Sequence, residues 1–214
     1  MRKVLLVPVC LALLISTATA TEQQVVDHSA AILRRFRAMP EKAIPASVLR
    51  NARGLAILSI VKVGFGLSGK GGQGVVVARS GNGWSGPSFV GTGGAGWGLQ
   101  IGAQLTEFVF VLNNDAAVRA FSKDGNVTIG ADVSAAAGPV GRDVQANLTP
   151  SAAVYTYSRS QGLFAGASLE GAIIATQKTA NAHYYGHRVR ARDILAGNVP
   201  PPPAAARLRA ALGY

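Results

Sequence analysis

The chain has 214 residues, 49% of them hydrophobic and 14% charged, with a formal charge of +11 and a single cysteine. One cysteine excludes a disulfide framework or a thiolate metal site, and the length fits one domain with a sizeable core. So positive a balance favours anionic partners: phospholipid surfaces, nucleic acid or acidic glycans.

Residues 1–20 read as a secretory signal peptide. Arg2 and Lys3 precede an apolar run from Val4 to Ile15, and small residues end at Ala18-Thr19-Ala20. The run is too short to span a bilayer. Cleavage before Thr21 removes Cys10 and leaves a charge of +9. The expected location is therefore periplasmic or secreted, peripheral to the cell envelope. Export ranks lipid and envelope polymers above nucleic acid, so no nucleic-acid partner is expected.

Residues 21–197 form the expected domain. In "VVDHSAAILRRFR", Val25, Ser29, Ile32, Leu33 and Phe36 share one helical face, with Asp27, Arg34, Arg35 and Arg37 largely opposite. Pro40 ends this helix, and "PASVLRNARG" predicts a second, short one. From Leu55 the period changes. "LAILSIVKV", "GVVVAR", "SFVGTG", "GLQIGAQ" and "EFVFVLN" read as short strands between glycine clusters. "NDAAVRAFSKDG" predicts a capped helix, after which strands resume in "NVTIGADVSAA", "RDVQANL", "AAVYTYSR", "LFAGASLEG" and "AIIATQ". "HRVRARDILAG" predicts a closing helix, and residues 198–214 a polyproline stretch leading to a short basic helix peripheral to the core. The fold class is α+β, mostly β: roughly nine or ten strands in one glycine-rich antiparallel sheet, curled into a barrel or sandwich and flanked by N- and C-terminal helices.

The stretch "KVGFGLSGKGGQGVVVAR", Lys62 to Arg79, matches G-x-G-x-x-G at Gly64, Gly66 and Gly69 and most of a P-loop ending at Lys70. Both patterns fail on mechanism, because a phosphate cradle needs a helix after the glycines and a strand follows here. Fifteen glycines lie between residues 64 and 104, so such matches arise from composition. No nucleotide or other cofactor is expected, and the stretch predicts a hairpin turn with Lys70 at its tip.

Other motifs have plainer readings. Ser59 and Lys62 form S-x-x-K, but in a strand-like run. His183 and His187 are four apart with "YYG" between them, and no metal site is expected. Glu107 and Glu170 lie in apolar runs, where an unpaired carboxylate is costly. A buried ion pair, for example with Arg142, is the first reading for them, and a catalytic carboxylate the second.

In order along the chain, "IPASVLRNARGLAIL", "KVGFGLSGKGGQGVVVAR", "WSGPSF", "GGAGWGLQIGAQ", "FVFVLN", "AAVRAF", "AAGPVGRD", "YSRSQGLFAGASLEG" and "YYG" resemble the SYLF domain, here as a bacterial exported member. The resemblance implies binding to acidic phospholipids with an amphipathic N-terminal helix as the contact, which maps onto Ile32, Arg34, Arg35, Phe36 and Arg37. Lys70 joins them as a candidate head-group contact. Eukaryotic relatives join actin-associated machinery. With an export signal and no attached Src-homology or FYVE-type module, an actin, phosphoinositide or other protein partner is doubted for this chain. The expected function is thus non-enzymatic, peripheral binding to anionic phospholipid membranes. The alternative is an envelope hydrolase or transferase using Glu107 or Glu170.

Overall fold

The computed structural model describes residues 20–39, 44–81, 83–139, 152–162 and 173–213. Residues 1–19 of the expected signal peptide, Arg142, Glu170 and the strands expected in "RDVQANL" and "LFAGASLEG" lie outside the described residues.

Helix α1 spans Glu22–Ala38, three residues earlier than the apolar pattern alone predicts. The reason is a capping box. The Thr21 hydroxyl accepts from the Gln24 backbone N–H at 3.3 Å, and the Gln24 side chain accepts from the Thr21 N–H at 2.8 Å. Helix α2, Ala46–Asn51, follows as expected.

The sheet is built on two long strands, β1 (Gly54–Ser80) and β3 (Ser88–Leu112), with the short β2 (Gly83–Trp84) between them. The ladder from Gly54 opposite Leu112 to Val76 opposite Ser88 is interrupted by a register shift between Phe65 and Leu67. The hairpin turn expected within Lys62–Arg79, with Lys70 at its tip, is therefore absent, since the whole stretch is strand. The reversal comes instead from doubling the whole ribbon over, so that the two ends of β1 lie side by side. The Arg79 N–H donates to the Arg53 carbonyl at 2.8 Å. A Cβ on Gly72 would lie 2.7 Å from the Ser59 carbonyl oxygen, and one on Gly74 would overlap that of Ile57. Glycine here permits close backbone approach.

Both outer flanks of the doubled ribbon belong to β3, and the remaining strands add to them. Strand β6 (Val154–Gly162) pairs with residues 104–112 and carries the parallel β5 (Ala135–Ala137). Strand β7 (Ile173–Thr176) pairs with residues 90–92 and carries β4 (Asn126–Thr128). The result is a strongly curled half-barrel of seven strands among the described residues. The expected α+β class holds, with fewer and longer strands because pairs of apolar runs read as separate are continuous.

Both faces of the sheet are covered, which explains apolar runs without alternation. Leu55, Ile57, Val75, Val77, Val109 and Val111 pack in one layer with α1 and α2. Ala56, Leu58, Val76, Phe108, Phe110 and Leu112 pack in the other. That second layer includes Phe121 of α3 (Asp115–Ser122) and Leu195 of α5 (Ala191–Leu195), the shortened form of the expected closing helix. An additional helix, α4 (Lys178–Tyr185), stops at Gly186, whose φ of +75° suits glycine. The C-terminal α6 (Ala206–Leu212) corrects the expectation of a peripheral tail: Leu208 and Ala211 are buried in the α1 layer.

Candidate functional site

Helix α1 turns its apolar face inward. Ile32 and Phe36 are each 1% exposed and belong to the core, so the lipid contact expected of them is not available in this conformation. The physical reason is the depth of the curled sheet, whose inner face needs an apolar cover.

The expected basic face of α1 divides by role. Arg35 Nε donates to Glu107 Oε2 at 3.2 Å, and Arg35 Nη2 also donates to Glu107 Oε1. Arg159 of β6 reaches Oε2 at 3.4 Å, and His28 Nε2 is 3.9 Å from Oε1. Glu107 is 3% exposed. It is the buried ion pair the sequence points to, with Arg35 and Arg159 as partners. Both carboxylate oxygens of Glu107 are thus engaged by guanidinium groups.

Arg34 is exposed, with no hydrogen bond or ion pair among the described residues. Arg37 is exposed, and its Nη1 donates to the Ala211 carbonyl at 2.7 Å, joining α1 to the end of α6. Lys70 is exposed on β1 opposite Gly94.

Beside Arg37 opens a cleft of about 710 Å³ bounded by α1, α2, β1, β2 and α6. Arg37, Arg50 and Arg79 line it, together with Leu49, Trp84 and Leu212. Strand β2 sets Trp84 directly across from Arg79, whose guanidinium lies 4.4 Å from the indole ring centre. Among the described lining residues none is acidic. Sequence reasoning missed Arg50, Arg79 and Trp84. "WSGPSF" and "VLRNAR" were visible, but nothing in their spacing shows that they share a wall.

The remaining motifs are structural. Tyr185 donates to the Pro87 carbonyl at 3.1 Å, and a Cβ on Gly86 would collide with the Tyr185 hydroxyl. The Asn181 side chain accepts from the Phe89 N–H at 2.8 Å, and Tyr184 meets Phe89 edge to face at 5.1 Å. "WSGPSF" and "YYG" are therefore two halves of one contact. Burial, with the Asp27 carboxylate second, pushes Tyr184 up to about 12. Burial also raises Tyr157 and Tyr185. His183 Nδ1 lies 3.4 Å from Glu22, while His187 contacts the Tyr185 carbonyl at 2.9 Å. The two histidines thus have separate partners. Among the described residues no three His, Cys, Asp or Glu side chains group together.

A strongly curled, mostly antiparallel sheet with packed layers on both faces, flanked by N- and C-terminal helices and bearing a cleft lined by Arg37, Arg50 and Arg79, defines a β-rich α+β domain. The family description "Las17-binding protein actin regulator" (Ysc84) matches residues 93–213, more than half of the chain, and the chain belongs to this Ysc84/SYLF family. Human SH3 domain-containing YSC84-like protein 1 is 48% identical over 182 residues, covering 81% of this chain and 53% of the relative. LAS seventeen-binding protein 3 of Saccharomyces cerevisiae is 48% identical over 169 residues, covering 77% and 37%. Protein YSC84 of the same yeast is 47% identical over 170 residues, covering 77% and 36%. The chain thus spans about half the length of the human relative and less of the yeast ones.

Proposed function

We propose that this chain is a non-enzymatic, exported domain that associates peripherally with anionic phospholipid at an envelope membrane. The observation that supports this most is the exposed cationic edge made by Arg34 and Arg37 of α1 with Arg50 of α2, next to a cleft with no acidic side chain among its described lining residues. Three such charges near an anionic surface contribute about 3 kcal/mol, at about 1 kcal/mol each. That is reversible attachment rather than insertion. With Ile32 and Phe36 committed to the core, the half-buried Leu49 and Leu212 at the cleft supply the apolar contact. Lys70, exposed on β1, adds a further charge. Co-sedimentation with phosphatidylglycerol vesicles, lost at high salt and absent with phosphatidylcholine vesicles, tests the reading. Equal binding to both lipids, or to neither, contradicts it.

A second reading comes from the family description, "Las17-binding protein actin regulator", and from the yeast relative named LAS seventeen-binding protein 3. On this reading the domain also presents a protein-binding surface, the partner class the sequence alone led us to doubt. Capture of purified Las17 by the chain with no lipid present would favour it, and no capture at micromolar concentrations would count against it.

A further inference from the structure

Four features of the cleft between α2 and α6 go beyond a surface charge. Its cations are grouped rather than spread: Arg37, Arg50 and Arg79 share one concavity with no carboxylate among the described lining residues. Beside them lies an apolar wall that includes Leu33, Leu49 and Leu212. Trp84 is only 5% exposed, yet its indole N–H has no hydrogen-bond partner among the described residues. A buried, unmatched donor is costly, which makes an acceptor supplied from outside the chain favourable there. The volume, about 710 Å³, is that of a small-molecule site rather than a flat membrane contact.

We propose that this cleft binds one molecule of a single-chain anionic amphiphile. The phosphate or carboxylate head sits among the arginines and the Trp84 N–H, and the start of the hydrocarbon chain lies along the leucines. Guanidinium groups suit such a head because they bond a phosphate or carboxylate through two N–H groups at once. The apolar wall adds what a free inorganic anion cannot use. The inference rests on the anionic-lipid reading of the same face, but it concerns a monomeric ligand and can fail or succeed separately from membrane attachment.

The chain has two tryptophans, so a W97F background leaves Trp84 as the sole indole emitter. Titration of that protein with lysophosphatidic acid below its micellar concentration is expected to give a saturable Trp84 signal. Calorimetry on the unmodified chain is expected to give one site. Arg50→Glu, at an exposed position on α2, is expected to weaken binding at least about tenfold, the worth of one charge-assisted bond. Arg34→Glu, outside the cleft, should leave the monomer's affinity within about twofold while weakening phosphatidylglycerol vesicle binding. Trp84→Phe, read by calorimetry, should weaken the monomer several-fold.

Inorganic phosphate binding as tightly as the lysolipid would overturn the proposal, as would equal binding of zwitterionic lysophosphatidylcholine or indifference to Arg50→Glu. Vesicle binding without any monomer site would also overturn it, leaving the membrane reading intact. Monomer binding without vesicle binding would uphold the cleft and remove the membrane reading.

Discussion

Arg35 of α1 and Glu107 of β3, 72 positions apart in sequence, are joined side chain to side chain by two hydrogen bonds. The pair ties α1 to the sheet in the orientation that turns its apolar face inward and leaves Arg34 and Arg37 exposed. The partners are unequal: Glu107 is 3% exposed, whereas Arg35 is 38% exposed.

That inequality sets an order of effects. Arg35→Ala leaves a buried carboxylate with Arg159 as its nearest remaining cation and is expected to cost about 2–3 kcal/mol. Glu107→Gln keeps the shape and leaves two cations that reach water, and it is expected to cost about 1 kcal/mol. Urea denaturation of the two variants checks the order, and a larger loss for Glu107→Gln would contradict it.

The doubled ribbon predicts that its glycines are not equivalent. Gly74→Ala would drive a methyl group into the Ile57 carbonyl and is expected to cost about 3 kcal/mol or more. Gly71→Ala meets nothing within 4 Å and is expected to be neutral or to stabilise by up to about 1 kcal/mol through the unfolded chain. Thermal unfolding distinguishes the two.

If α6 belongs to the core, Leu208→Ala destabilises by about 2–4 kcal/mol, since Leu208 is 1% exposed against α1. Arg209→Ala, exposed on the same helix, is expected to change stability by less than about 0.5 kcal/mol. Equal small effects would return the tail to the periphery.

The tyrosines predict an alkaline limit. Tyr184, raised to about 12 from an ordinary value of 10, binds its proton more tightly folded than unfolded, and Tyr157 and Tyr185 shift the same way. Their contribution is fully present below pH 10 and is lost as pH rises through 10 to 12 and beyond. Urea midpoints measured from pH 9 to 12 should fall steadily, and more gently in Tyr185→Phe. A flat profile would contradict this.

Much of the fold was legible in the sequence because the period changes sharply at Leu55 and because α1 carries a single apolar stripe. The long strands were not legible. A glycine cluster signals a turn or a close backbone approach equally well, and only the partner strand decides between them. The Glu107 pair was half legible: a carboxylate in "LTEFVFVLN" needs a cation, but nothing local chooses Arg35 and Arg159. The amphipathic stripe was read correctly as a stripe, yet Ile32 and Phe36 fit core and membrane alike, and the depth of the sheet decides for core. The capping box "TEQQ" was visible and was missed. Leu208 and Ala211 at i, i+3 also mark a buried stripe, hidden in a proline- and arginine-rich tail.

The central claim is that the exposed arginine edge, rather than the apolar face of α1, attaches the domain to anionic lipid. The most direct test is vesicle co-sedimentation of the triple variant Arg34→Glu, Arg37→Glu, Arg50→Glu beside the unmodified chain, with circular dichroism showing both folded. The account predicts that phosphatidylglycerol binding falls at least about a hundredfold, matching the loss of about 3 kcal/mol of attraction. Undiminished binding by the folded triple variant would contradict it.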